Sequence, residues 1–194
     1  MIKLQTPISE EEIRKLRVGD TVLLSGTVVT ARDQAHKLMI EEKPDFVRDD
    51  LRESVIYHCG PVVRQDDEGE WHFVSAGPTT SAREEPYQAE VIKEYKVRGV
   101  IGKGGMGDRT AQGLKNYGAV YFHAVGGAGT LIANAVKKVK TVYKLDEFGT
   151  PEAFWVIQVE DFPLVVTMDA HGGSLHKEIM EKSSKIADEL ISQI

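Results

Sequence analysis

The sequence holds one cysteine, Cys59, among its 194 residues, and that scarcity excludes more than any residue present. A lone thiol builds no disulfide, no CxxC redox pair, no four-cysteine zinc site and no self-contained iron–sulfur cluster. Long apolar runs are missing as well, since nothing in the sequence approaches the roughly eighteen residues that mark a membrane span. The first residues, MIKLQTPISEEEIRKL, lack the basic-then-apolar order of a secretory leader, which predicts a cytoplasmic protein and no membrane partner. A basic excess is absent too: 24 Lys and Arg stand against 30 Asp and Glu, a net charge of −6. That balance argues against a general nucleic-acid binder.

What is present is an ordinary globular composition, 41% hydrophobic and 28% charged. A chain of this length buries roughly 70% of its unfolded surface, enough for a packed core without covalent staples. No internal repeat, low-complexity tract or linker divides it, so 1–194 is expected to form a single domain.

Along the chain, Ser9 followed by Glu12 is a capping box for a short helix over 10–16, and Gly19-Asp20 turns the chain. The β-branched run 21–30 predicts a strand, and ARDQAHKLMIEEK has helical spacing, so Arg32 falls at a strand-to-helix corner. Residues 44–54 read as irregular. The stretches 54–59 and 71–76 read as two strands joined through the polar turn 65–70, leading into the loop GPTTSAR at 77–83 and a helix near Pro86. From 97 the pattern alternates: strand 97–101, glycine loop 102–107, helix 108–116, strand 119–123, glycine turn 126–127 and helix 129–138. This βαβα order predicts parallel strands. Strands at 141–145, 154–159 and 164–168 follow, and then a helix from about 174. Its Leu175, Ile179, Ile186 and Leu190 are expected to form a core stripe opposite a solvated face. The fold class is therefore α/β, with a β-rich first half, a βαβα parallel segment and a C-terminal helix.

Gly102, Gly104 and Gly107 match the spacing of a dinucleotide-binding loop. The match lacks its second part, because AVYFHAVGG has no acid at the end of the next strand to hold a ribose. What remains is Lys103 on a glycine loop before a helix, either facing an anion or simply solvated. Arg32, Arg83 and Lys103 each leave a strand end beside small or hydroxyl residues, Thr79, Thr80 and Ser81 among them, which is the vocabulary of a carboxylate pocket. Asp33 reads as an orienting partner of Arg32 or a helix-start charge. His36, His58, His123, His171 and His176 show no metal-ligand spacing, so no metal site is assigned. His171-Gly172-Gly173 after Asp169 reads either as serving a site at the start of the last helix or as a turn stabilised by Asp169, and Cys59 as either a nucleophile or a buried structural thiol.

The segments TARDQAHK, YHCGP, GPTTSAR, GKGGM, AVYFHAVGGAG and TMDAHGGSLHKE, in this order, resemble the C-terminal domain of the class I, iron–sulfur-dependent fumarate hydratases and the β subunit of the L-tartrate dehydratases. The likeness runs over nearly the whole chain, and GPTTSAR followed about twenty residues later by GKGGM is its most specific part. The resemblance implies a single swivelling β/β/α domain that closes over a site built mainly by another domain. It implies that Arg32, Arg83 and Lys103, with Thr80 alongside, bind substrate carboxylates and that Thr79 is the proton-transfer candidate. It also implies a [4Fe–4S] cluster held by three cysteines. One cysteine cannot supply these, so the cluster is expected on a partner α subunit, in a heterotetramer or larger assembly acting on a small dicarboxylate. A hydro-lyase of the tricarboxylic acid cycle acting on fumarate is the expectation, with L-tartrate dehydratase beside it. The readings from other classes are a nucleotide-binding oxidoreductase and a non-catalytic assembly subunit.

Overall fold

Apolar residues on both faces of the central strands are the first requirement of this architecture. In β3 (Val55–Tyr57), β6 (Gly99–Gly102) and β7 (Val120–His123) nearly every side chain is buried. Such near-continuous hydrophobic strands suit a parallel sheet covered on both sides. The computed structural model describes residues 1–192, so the last two residues of the expected 1–194 domain lie outside the described residues.

β2 (Thr21–Thr30) pairs in parallel with β3, β3 with β6, and β6 with β7. The long β9 (Phe154–Met168) runs antiparallel to both β7 and β2, so these five strands close into a ring. β1 (Ile2–Gln5) extends β2 in parallel, and β8 (Val136–Tyr143) extends β9 as an antiparallel edge. Because side chains alternate along a strand, each ring strand serves two cores. Val55, Tyr57, Ile101, Phe122, Trp155 and Ile157 join one cluster, and their neighbours Ile56, Val100, Tyr121 and Val156 join another. The second cluster is completed by Met39 of α2 (Asp33–Glu41), Leu51 of α3 (Arg48–Leu51), Val91 and Tyr95 of α4 (Gln88–Tyr95) and Leu114 of α5 (Asp108–Tyr117). The result is a mixed α/β fold with a strand core and a strand-helix core. Each large fully buried side chain contributes roughly 1.5–3 kcal/mol.

Several expectations change. The capping box of α1 (Glu10–Ile13) is present, with Ser9 and Glu12 bonded reciprocally. Residues 54–59 and 71–76 do not form a pair. β5 (Trp71–Ser75) instead forms a hairpin with β4 (Val62–Gln65), and the hairpin packs Trp71 and Phe73 edge-on against Trp155. The stretch expected as irregular contains α3. The expected helix 129–138 stops at α6 (Gly129–Ala133), after which VKKVKTVY is β8, and α7 (Leu145–Phe148) replaces the end of the expected 141–145 strand. The two expected strands 154–159 and 164–168 are one, bent at Asp161, whose φ is +49°. The last helix, α8 (Leu175–Ile191), has no buried residue, and Ile179, Ile186 and Leu190 are 57%, 58% and 59% exposed. Its apolar stripe therefore covers no core within this chain.

Candidate functional site

The parallel strands β2, β3, β6 and β7 all end at the same edge of the ring, and loops leaving the carboxyl ends of parallel strands are where α/β folds gather ligand-binding residues. Arg32 leaves β2, and its backbone carbonyl accepts the His36 N–H of α2. The guanidinium lies over Gly60, where a Cβ would come within 2.6 Å of an Arg32 terminal nitrogen. Its Nε stands 3.4 Å from Glu152 but makes no hydrogen bond and is buried. Asp33, expected as an orienting partner of Arg32 or a helix-start charge, is the acid in the first turn of α2 and faces Arg83 at 3.9 Å. That contact brings the first and second cationic loops together.

GPTTSAR is held as a wedge. Past Tyr57 the ends of β3 and β6 part, and the loop enters between them. Thr79 N–H donates to the His58 carbonyl at 2.7 Å, Lys103 N–H to the Thr79 carbonyl at 3.2 Å, and Ser81 N–H to the Lys103 carbonyl at 3.1 Å. Two isolated bridges, Cys59 with Pro78 and Thr80 with Lys103, mark its borders. Gly102 is required here because a Cβ would overlap Ser81 Oγ. Thr79 is half-buried and makes no side-chain hydrogen bond among the described residues, and Thr80 is exposed. A turn of 3₁₀ helix, Ser81–Arg83, then carries Arg83 outward, its side chain 58% exposed.

Lys103 follows β6, its stem beside Gly126 of the loop after β7, with 3.7 Å between Lys103 Cδ and a Cβ placed there. Among the described residues its ammonium pairs with no carboxylate. The helix N-terminus expected beside it is not open to a ligand. Glu85 already fills it, accepting from Gly107 N–H at 2.8 Å, Thr110 N–H at 3.1 Å and the Thr110 hydroxyl at 2.7 Å. Gly105 packs on the His176 ring. These occupants leave the glycine loop no cradle for a pyrophosphate, and β7 ends at His123 rather than an acid. The geometry thus joins Arg32, Thr79, Thr80, Arg83 and Lys103 through three adjoining loops, a cationic edge suited to carboxylates.

Under these loops sits a polar set that the sequence reading did not assign. His36, His58, Ser81, Glu84 and Gln88 are fully buried. Burial holds both imidazoles below their ordinary range, His58 furthest, with His36 adding repulsion to it. Glu84 is pushed up to about 8, by burial first and by Asp33 second. No local pattern marks Glu84 or Glu85, since SAREEP reads as a charged loop and their partners lie in other elements.

Cys59 is buried, and burial pushes its thiol up to about 12, which identifies it as structural. Asp169 closes the expected turn, its carboxylate accepting from the His171 and Gly173 N–H groups. Among the described residues no three His, Cys, Asp or Glu side chains gather as a metal site. A single buried thiol does not supply the several thiolates that hold an iron–sulfur cluster.

Residues 1–179 match the family model described as Fumarase C-terminus. A Geobacillus stearothermophilus protein named "Putative fumarate hydratase class I" is 50% identical over 184 residues, covering 95% of this chain but 35% of its own length. The chain thus spans about a third of that relative. "Putative L(+)-tartrate dehydratase subunit beta" of Methanocaldococcus jannaschii is 44% identical over 190 residues, 95% of each chain. L(+)-tartrate dehydratase subunit beta of Escherichia coli K12 is 38% identical over 192 residues, covering 98% of this chain and 94% of the relative.

Proposed function

The chain belongs to the fumarase C-terminus family, and from that premise we propose that it is the β subunit of a heteromeric hydro-lyase that adds water to fumarate, or removes it from malate. The observation that carries this reading is the meeting of Arg32, Arg83 and Lys103 at one edge of the ring, with no carboxylate among the described residues on Lys103. A C4 dicarboxylate is a dianion. Two arginines grip carboxylates through paired N–H donors, and a lysine adds a point charge, each charge-assisted hydrogen bond contributing about 1.5–3 kcal/mol.

Hydration places a hydroxyl on one carbon of the double bond and a proton on the other; dehydration reverses both. Thr79 lies on the wedge between the ends of β3 and β6, on the loop that carries Arg83 and beside Lys103, where its hydroxyl can face the reacting carbons. A threonine hydroxyl is a weak base, so removal of a proton through Thr79 needs neighbouring cations to stabilise its alkoxide character. Arg83 and Lys103, four and twenty-four positions further along the chain, supply that field. The cationic grip also limits the freedom of the bound dianion, which lowers the entropic part of the barrier.

A [4Fe–4S] cluster does not fit this chain, whose one thiol is buried and protonated. The cluster is assigned to an α subunit, in a cytoplasmic complex, and the β chain closes over it as a swivelling lid. L-tartrate is the second substrate reading, supported by the two β-subunit relatives that match this chain over nearly their full length.

Anaerobic co-purification with the α subunit, followed by an iron assay and turnover on fumarate and L-tartrate, tests the proposal. The complex is expected to carry iron and turn over one of the two acids, and the chain alone to do neither. Iron bound stoichiometrically by the isolated chain would contradict the division of labour.

A further inference from the structure

The buried polar set forms one connected chain beneath all three cationic loops. His36 Nδ1 lies 2.9 Å from the Arg32 carbonyl, and both His36 Nε2 and His58 Nε2 face the Gln88 side-chain amide, at 3.0 and 2.8 Å. A neutral His36 must carry its proton on Nδ1 to donate to that carbonyl. Its Nε2 is then an acceptor, yet the atom facing both rings is Gln88 Oε1; we assign the amide the opposite orientation, in which its nitrogen, otherwise buried without a partner, donates to both rings. His58 in turn carries its proton on Nδ1, 2.8 Å from Ser81 Oγ, which is 2.8 Å from the Tyr121 hydroxyl. The His58 carbonyl holds Thr79, and the Lys103 carbonyl holds Ser81.

Glu84 stands beside this chain with Oε2 3.9 Å from His58 Nδ1, and neither of its oxygens has a hydrogen-bond partner. Around it are Arg32, Asp33 and His36 from the start of α2, His58 from the end of β3, Tyr121 from β7 and Arg83 from its own turn. A buried carboxylate without donors is costly, and the positive charges at hand to offset it are Arg32 and Arg83. Those are the two arginines assigned above to the substrate, an assignment on which this inference rests. A bound dicarboxylate draws on their charge and adds its own repulsion, so Glu84 and the ligand cannot both be anionic at little cost.

We infer that Glu84 is a positioning residue of the anion site that works as a neutral acid, so that where the free chain holds it ionised, a dicarboxylate binding to Arg32 and Arg83 takes up one proton from solvent. As a neutral group it leaves the arginines to the ligand and the His58–Ser81 chain undisturbed beneath Thr79. As a carboxylate it competes for the same arginines. The coupling acts on the free enzyme, so it enters kcat/KM, which reports free-enzyme ionisations, more than kcat.

The test is the ratio of kcat/KM at pH 7 to that at pH 9, measured in the assembled complex on whichever acid it turns over. Ionisation of Glu84 near pH 8 sets this ratio at about tenfold in the wild type. In Glu84→Gln, which cannot ionise, the ratio is expected to fall below about twofold. A ratio that stays near tenfold in Glu84→Gln, or near one in the wild type, overturns the inference. A wild-type complex inactive on both acids would count instead against the functional reading. Carbon-13 titration of the glutamate carboxyls in the wild-type chain decides the point without turnover or a variant. One carboxyl is expected to titrate near pH 8, and titration of every one below about pH 6 would overturn the inference.

Discussion

Glu84 and Glu85 are adjacent, and the fold gives them opposite tasks. Glu84 turns inward, without donors, to a place that favours its neutral form. Glu85 turns toward the first turn of α5, where its carboxylate accepts from three donors. Neither role is readable from the sequence, because the dipeptide is the same and the environments come from residues more than twenty positions away. The cations behaved differently. Arg32, Arg83 and Lys103 stood out in the sequence because each follows a strand beside small residues, a local pattern, although Asp33 proved to face Arg83 and not Arg32. The capping role of Glu85 is testable by stability. Glu85→Ala removes the acceptor for two backbone N–H groups and a hydroxyl, and is expected to destabilise the chain by about 1–2 kcal/mol. Urea denaturation checks this, and an unchanged midpoint would mean that solvent replaces the carboxylate at no cost.

At the scale of elements, the parallel strands and their helices were legible because each carries its own period: apolar runs for β3, β6 and β7, and 3.6-residue spacing for α2 and α5. β8 was not legible. Its lysines at 137, 138 and 140 make VKKVKTVY look like the continuation of a helix, yet charged residues suit an edge strand, which must discourage pairing with other chains. β1 and β4, four residues each, are too short to show a period. The single β9 was divided because DFP interrupts its apolar run, and the structure absorbs the interruption as a bend at Asp161. α8 shows the converse. Its amphipathic period was read correctly, but the stripe meets no core here. The stability of the chain is therefore expected to owe little to its outer turns. Removing residues 181–194 should shift the Tm of the isolated chain by no more than about 0.5 kcal/mol allows, or roughly 1–2 °C. A larger drop in calorimetry would show that α8 holds the body of the molecule.

At the scale of the whole molecule, net charge and local charge part company. The protein carries −6 overall, but the ring ends bring three cations to one edge, and it is this local field that a dicarboxylate meets. The ring explains how. Arg32 and Lys103 leave the carboxyl ends of the parallel strands β2 and β6, and the GPTTSAR wedge brings Arg83 to the same edge, while the buried His36–His58–Ser81 chain fixes the loops from below. On the proposed function, the single cysteine, buried and with its thiol pushed up to about 12, leaves the metal chemistry to a partner and the carboxylate grip to this chain. That division makes the cations indispensable only in the assembled enzyme. The most direct measurement is kcat/KM of the complex with Arg83→Ala or Lys103→Ala. A loss of roughly 30- to 1,000-fold, about 2–4 kcal/mol of transition-state stabilisation, is predicted for each. An unchanged kcat/KM in either variant would contradict the account.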